Sequence, residues 1–202
     1  MPLLHITAQK TGLIVHGPPG DTAPAQPATR IPERAVAAAL AAQPPDAPVV
    51  VLVHGRGYAP GIAGKDPHQL IFAPRPLRAG PRFLSWPRRL GFALPGTNKR
   101  IMARGLCIGF GWDGRGNIWR ATRNADHAAQ MLARLVQMIR RTAPDRQVDM
   151  IGHSLGARVI LGAVPLLADG AAGRILLLAG ADFAARARVA LSSPAGRNAE
   201  FF

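Results

Sequence analysis

The chain has 202 residues, of which 48% are hydrophobic and 18% charged, so it can form one domain with a full core and is neither disordered nor fibrous. No apolar stretch reaches the roughly 18 residues of a membrane span, and the single cysteine, Cys107, excludes a disulfide framework and a multi-cysteine zinc site. The net charge of +14 raises the question of nucleic-acid binding, but the basic residues are spread along the chain and aromatic residues make up only 5%. We therefore expect no specific nucleic-acid partner. The N-terminus lacks the regions of a secretory signal, which predicts a cytoplasmic location.

Strands are expected wherever a short apolar or β-branched run is bounded by Gly, Pro or polar residues. The run at 49–53 is continuous and predicts a strand buried on both faces. In chain order, the predicted strands are 3–7, 13–15, 49–53, 106–110, 148–151 and 174–179.

Helices are expected where apolar residues recur at helical spacing or where caps bound an alanine-rich run. The stripe of apolar residues between 123 and 141 is the clearest case, and Pro165 should kink or split the helix that contains it. In chain order, the predicted helices are 32–43, 83–90, 123–141, 155–168 and 183–191.

Strands that alternate with helices predict an α/β fold with a mostly parallel sheet flanked by helices. Residues 1–202 form one predicted domain. Its N-terminal part, 1–47, is expected to contain a hairpin, a proline-rich loop and a helix. The Pro- and Gly-rich stretch 57–100 is long for a plain connection, and we interpret it as a lid or insertion above the sheet edge.

A Gly-x-Ser-x-Gly motif carries the chemistry of this sequence. It reads Gly152-His153-Ser154-Leu155-Gly156, and it directly follows the predicted strand 148–151 and opens the next helix. Strand, tight turn and helix are the context that a nucleophile elbow requires, with glycines where a Cβ would collide. Ser154 is therefore the predicted nucleophile, and the Leu155 N–H points to where an oxyanion would form.

A second oxyanion donor should come from a loop after an earlier parallel strand. The strand 49–53 ends in His54-Gly55-Arg56-Gly57, where the Arg56 N–H would fit and His54 would order the loop. A competing His16-Gly17 pair also follows a strand. It leads into two prolines, which have no N–H to donate.

With these two motifs, Val-Leu-Val-His-Gly at 51–55 and Gly-His-Ser-Leu-Gly at 152–156, the sequence resembles the α/β-hydrolase superfamily of serine esterases and lipases over about residues 48–183. The resemblance implies an α/β-hydrolase-like fold and a Ser-His-acid triad. It also implies attack by Ser154 on an acyl carbonyl, with the oxyanion held by the N–H groups of Leu155 and Arg56. The implied partner is a small-molecule acyl substrate, and no cofactor or metal is implied.

The triad is where the sequence departs from that family, in which the acid and then the histidine follow the nucleophile. No histidine follows Ser154. His153 is expected to pack beside the strands, His127 to be a half-buried structural residue, and His68 to lie in a loop. Asp182 follows the strand 174–179 and is a candidate acid, or else it caps the next helix.

The C-terminal residues suggest that the sequence stops before the triad histidine. Residues 200–202 end in two phenylalanines and should begin a further parallel strand, so we expect the C-terminal part of the sheet to be missing. A non-catalytic hydrolase-fold binding domain is the alternative to a serine hydrolase. A basic nucleic-acid-associated protein is a weaker one.

Overall fold

A computed structural model describes residues 3–16, 32–75, 84–92 and 105–202, and a seven-stranded sheet forms the centre of this part of the chain. The strands are β1 (Leu3–Gln9), β2 (Gly12–His16), β3 (Val49–Val53), β4 (Leu106–Gly111), β5 (Val148–His153), β6 (Ala172–Leu178) and β7 (Glu200–Phe201). Their order across the sheet is β2-β1-β4-β3-β5-β6-β7. Every neighbouring pair is parallel except the β1–β2 hairpin. The predicted α/β class with a mostly parallel sheet is confirmed.

Six helices lie in the described ranges, and their bounds largely follow the sequence pattern. They are α1 (Pro32–Ala41), α2 (Trp86–Arg89), α3 (Ile118–Thr142), α4 (Leu155–Ala163), α5 (Ala184–Ser192) and α6 (Pro194–Arg197). The predicted helix with Pro165 is split as expected, because α4 gives way to a 3-10 turn over Val164–Leu166.

The start of α3 differs from the prediction by five residues. Asn117 caps the helix, since its Oδ1 accepts a hydrogen bond from the Arg120 N–H at 2.9 Å. The first helical residues, Ile118 and Trp119, are exposed. They fall outside the apolar stripe on which the prediction depended.

The two faces of the sheet are covered differently. Helices α1, α3 and α4 pack around the larger core on one face. On the second face the cover is an irregular chain, residues 57–75, with the short α2. Phe72 of this chain is fully buried and lies where Gly109 of β4 has no side chain, because a Cβ there would come within 2.9 Å of the ring.

Parts of the N-terminal and insertion predictions lie outside the described residues. These are the proline-rich loop at 17–31 and the segments 76–83 and 93–100 of the expected lid. The described parts of that insertion pack on the sheet, and the lid itself stays a prediction. In the described ranges, no helix combines the length and the apolarity of a membrane span.

The topology singles out one place on the sheet. We call the edge at which the parallel strands end the carboxyl edge, and the opposite one the amino edge. From β3 the chain crosses to β4 on one side and then returns to β5 on the other side. Ligands of open α/β sheets bind at the carboxyl ends of strands where the strand order reverses in this way. The turn after β5 contains Ser154.

Candidate active site

Ser154 occupies a strained turn between β5 and α4. Its φ is 54° and its ψ is −121°, a conformation that non-glycine residues rarely adopt. Ala179 is the other non-glycine residue with positive φ in the described ranges. The two lie together, because the Ser154 N–H bonds the carbonyl of Leu178 at 2.9 Å and the Ser154 carbonyl accepts from Ala181 at 3.1 Å. Backbone strain is therefore concentrated at one point of the sheet edge.

Glycines on either side of Ser154 allow the turn to form. A Cβ at Gly152 would lie 2.8 Å from the carbonyl carbon of Gly156, and a Cβ at Gly156 would collide with the Val53 carbonyl oxygen. Helix α4 consequently begins in direct contact with the end of β3. At both glycines a side chain would therefore collide with neighbouring backbone.

The loop after β3 lies against the serine. A Cβ at Gly55 would come within 3.0 Å of the Ser154 Cβ and within 2.8 Å of the His153 carbonyl oxygen. Within the described residues, neither the Arg56 N–H nor the Leu155 N–H has a hydrogen-bond acceptor. The Arg56 side chain is exposed. One unused backbone donor, the Arg56 N–H, thus lies in the loop after β3, and the other, the Leu155 N–H, lies at the start of α4.

His54 fixes this loop through both ring nitrogens. Its Nδ1–H donates to the Gly55 carbonyl at 2.8 Å, and its Nε2 accepts from the Trp112 N–H at 3.0 Å. The Trp112 indole donates back to the His54 carbonyl at 2.9 Å, and the two rings stack 5.3 Å apart. Complete burial lowers the pKa of His54 to about 4. His54 is therefore neutral and fully engaged, and it has no nitrogen left to accept a proton from Ser154.

The other histidines singled out by the sequence do not bond the serine. His68 Nε2 lies 3.0 Å from Thr7 Oγ1, and His127 Nε2 lies 3.1 Å from the Gln9 carbonyl. His153 is exposed, with its ring edge-on to Trp86, rather than packed beside the strands as expected. No histidine nitrogen in the described ranges hydrogen-bonds Ser154 Oγ.

Asp182 lies close to the serine turn but pairs with arginines. Its side chain is only 3% exposed. Its Oδ1 accepts from Arg158 Nη1 at 2.6 Å and from the Phe183 N–H at 2.9 Å, and its Oδ2 lies 3.1 Å from Arg186 Nε. The neighbouring Ala181 holds the Ser154 carbonyl. Asp182 thus anchors the turn before α5, and its role as a triad acid stays a prediction.

Sequence reasoning missed Arg158, which organises these carboxylates. Arg158 is buried in α4 and forms a two-bond pair with Asp126 of α3, at 3.0 and 3.1 Å, besides its bond to Asp182. We call Arg158, Asp126, Asp182 and Arg186 the arginine–aspartate cluster. It joins α3, α4 and α5 beneath the serine turn. The available signal was a lone arginine in an otherwise apolar helix, which requires a buried partner.

A second missed group lies on the hairpin side of the sheet. We call His5, His16 and His68 around Thr7 the histidine cluster. The Thr7 hydroxyl bonds His16 Nε2 at 2.7 Å and His68 Nε2 at 3.0 Å, and the rings of His5 and His68 stack 4.8 Å apart. Burial lowers the pKa of His5 to about 4 and lowers that of His68 well below its usual value. In the described ranges, no three His, Cys, Asp or Glu residues are arranged to hold a metal ion.

A comparison with models of known protein families gives a match. A family model described as "T6SS Tle3 phospholipase effector domain" matches residues 122–194. The matched stretch runs from α3 to the beginning of α6 and contains both Ser154 and Asp182. No curated protein matches the chain.

Proposed function

We propose that the chain is a serine hydrolase of the α/β-hydrolase superfamily that cleaves an ester-type acyl bond with Ser154 as the nucleophile. The observation that carries the proposal is the strained, glycine-flanked turn of Ser154 at the point where the strand order reverses. Backbone strain of this kind costs about 1–3 kcal/mol and persists at functional sites. A serine raised on such a turn presents its Oγ to a bound carbonyl.

The proposed chemistry is acyl transfer to Ser154. The Oγ bonds the acyl carbon as its proton passes to a base, and the carbonyl oxygen takes the negative charge. The unused N–H groups of Leu155 and Arg56 are the proposed donors to that oxygen. Each such donor contributes about 100- to 1,000-fold in rate. The ester C–O bond then breaks and the alcohol leaves with the proton that the base returns to it. Water next hydrolyses the acyl–Ser154 bond, which releases the acid and restores the Ser154 hydroxyl.

We further propose that the substrate is a lipid ester. The family model that matches 122–194 is described as a phospholipase domain, and its match includes the proposed nucleophile. Asp182 is the proposed acid, since it follows β6 and lies one residue from the contact with Ser154. A cytoplasmic location stays a prediction from the sequence.

A fluorophosphonate probe tests the nucleophile directly, because it reacts only with an activated serine. We expect the full chain to be labelled at Ser154, and Ser154→Ala to lose the label. Ser192→Ala, at an exposed serine of α5, is the matched control and should label like the unmodified protein. Absence of label on folded full chain would count against the proposal.

A non-catalytic binding domain is the second candidate, and one observation favours it. The described residues give Ser154 Oγ no histidine partner, whereas His68 and His127 bond other groups. On this alternative, Ser154→Ala would leave lipid binding unchanged and the unmodified chain would show no ester hydrolysis. Hydrolysis that disappears in Ser154→Ala would exclude it.

A further inference from the structure

The acidic side chains are distributed unevenly over the described part of the protein. Five of them lie at the amino edge of the sheet, most of them exposed: Asp46, Asp145, Asp149, Asp169 and Glu200. Three that lie toward the carboxyl edge are buried or paired. Asp66 is 5% exposed, Asp113 pairs with Arg115 at 2.8 Å, and Asp182 lies within the arginine–aspartate cluster. These three carboxylates therefore present little unpaired negative charge to solvent. Of the other acidic residues on this side, Asp126 pairs with Arg158 and Arg186 but keeps 43% of its side chain exposed, and Glu33 is exposed in the first turn of α1.

Basic side chains do reach solvent at that edge. Lys10 directly follows β1, Arg56 follows β3, and Arg115 follows β4, while Arg120 and Arg123 lie in the first two turns of α3. Four of these five border a cleft of about 950 Å³ beside Trp112 and His127. Asp113 offsets only one of the charges. The edge that holds Ser154 is consequently a positively charged face.

Large apolar side chains are exposed on the same face. Trp119 is 72% exposed and Ile118 50% exposed in the first turn of α3. On the other side of Ser154, Phe183 is 76% exposed and Leu178 48% exposed. Leu178 and the turn before Phe183 both bond the Ser154 backbone. These two apolar pairs thus lie on either side of Ser154 at the same edge as the basic residues.

We propose that this face, defined by Lys10, Arg115, Ile118, Trp119, Arg120, Arg123, Leu178 and Phe183, docks on the surface of an anionic lipid bilayer. Anionic headgroups attract juxtaposed Lys and Arg side chains by about 1 kcal/mol each. Tryptophan and phenylalanine enter the boundary between headgroups and acyl chains. Docking in this orientation turns the Ser154 turn toward the lipid. The docking itself does not depend on the proposed function; only the hydrolysis of a lipid ester after docking does.

The apolar component distinguishes a bilayer from a nucleic acid as the partner. A nucleic-acid site combines basic residues with aromatic platforms interleaved among them. Here Trp119 neighbours Arg120 in α3, but Phe183 and Leu178 lie on the far side of Ser154 from the basic cleft. An anionic bilayer carries negative charge at its surface and an apolar layer beneath it. It therefore matches both the basic and the apolar residues of this face.

Vesicle co-sedimentation of the full chain tests the proposal. We expect strong binding to vesicles of phosphatidylglycerol mixed with phosphatidylcholine, and at least tenfold weaker binding to phosphatidylcholine alone. Added salt should weaken the binding, because charge attraction at the surface is screened. Equal binding to both vesicle types would overturn the proposal. So would binding to DNA that displaces the protein from the anionic vesicles, which would support a nucleic-acid partner instead.

Two pairs of variants locate the face. Arg123→Glu should weaken vesicle binding more than tenfold, whereas Arg141→Glu, in the last turn of the same helix, should not. Trp119→Ala should weaken it about tenfold, whereas Leu166→Ala, 50% exposed beyond the other end of α4, should have no effect. If the members of either pair behave alike, the docking face is wrong.

Ser154→Ala separates this proposal from the proposed function. It should bind anionic vesicles like the unmodified protein while losing the fluorophosphonate label. If the unmodified chain binds anionic vesicles but hydrolyses no ester, the enzyme proposal is wrong and the docking proposal is supported. Hydrolysis of a monomeric ester by a chain that does not bind vesicles would support the enzyme proposal and overturn the docking proposal.

Discussion

The histidine cluster and the arginine–aspartate cluster both bury polar side chains close to the carboxyl edge, but the first is neutral and the second charged. In the histidine cluster, burial lowers the pKa of every ring, and the Thr7 hydroxyl bonds two of the rings without charge. In the other cluster, burial opposes the charge of Arg158, yet hydrogen bonds and charges from Asp126 and Asp182 outweigh it and raise the pKa. Protonation should therefore destabilise the histidine cluster, whereas loss of a charged partner should destabilise the arginine–aspartate cluster.

The largest effect should come from removing the cation at the centre of the charged cluster. Arg158→Met leaves Asp126 and the buried Asp182 without their main partner, which should lower the free energy of unfolding by about 3–5 kcal/mol. Urea unfolding measures the change. Arg188→Met, on the exposed surface of α5, is the control and should change stability by less than about 0.5 kcal/mol. A loss no larger than that of the control would mean that the cluster does not hold α5 in place.

Mild acid should act on the histidine cluster. Below pH 6.5 the unfolded chain protonates its histidines, but the folded chain keeps His5 neutral until about pH 4. The unfolded state then binds more protons, so the free energy of unfolding falls as the pH drops from about 6.5 to about 4. For a histidine with this change in pKa, the loss is on the order of 3 kcal/mol. Urea titrations at pH 7.5 and pH 4.5 measure it, and a flat profile would contradict neutral burial.

A smaller loss should follow from removing the shared hydroxyl. Thr7→Val keeps the shape of the side chain but leaves Nε2 of His68 without a partner, and its Nδ1 already has none in the described ranges. An unsatisfied buried polar group costs about 1–3 kcal/mol. Thermal unfolding should show this decrease in stability, whereas Thr11→Val at the exposed hairpin turn should be nearly neutral. If Thr7→Val stabilises the protein, the hydrogen bonds of the Thr7 hydroxyl do not contribute to stability.

The two clusters also show what the sequence could and could not predict. The Gly-x-Ser-x-Gly turn was predictable because its spacing fixes a local geometry, which needs no knowledge of distant residues. The histidine pair His5 and His16 was partly predictable. A two-residue turn at 10–11 sets a register in which these two residues lie opposite each other.

The remaining partners depend on long-range packing. His68 reaches Thr7 through an irregular chain that has no periodicity. Arg158 meets Asp126 and Asp182 only because α4 lies against both α3 and α5. The start of α3 was missed for a related reason: an exposed Ile118 and Trp119 break the apolar stripe by which a helix is recognised. Exposed apolar residues at the start of a helix thus weaken the sequence signal by which that start is predicted.

The positive φ of Ser154 has a consequence for laboratory evolution of this protein. Glycine adopts that backbone conformation without steric cost, so Ser154→Gly should be more stable than the natural sequence by about 1 kcal/mol. A library sorted for heat resistance alone would enrich glycine at 154. The most durable members of such a population would be those that had discarded the hydroxyl on which the proposed chemistry depends.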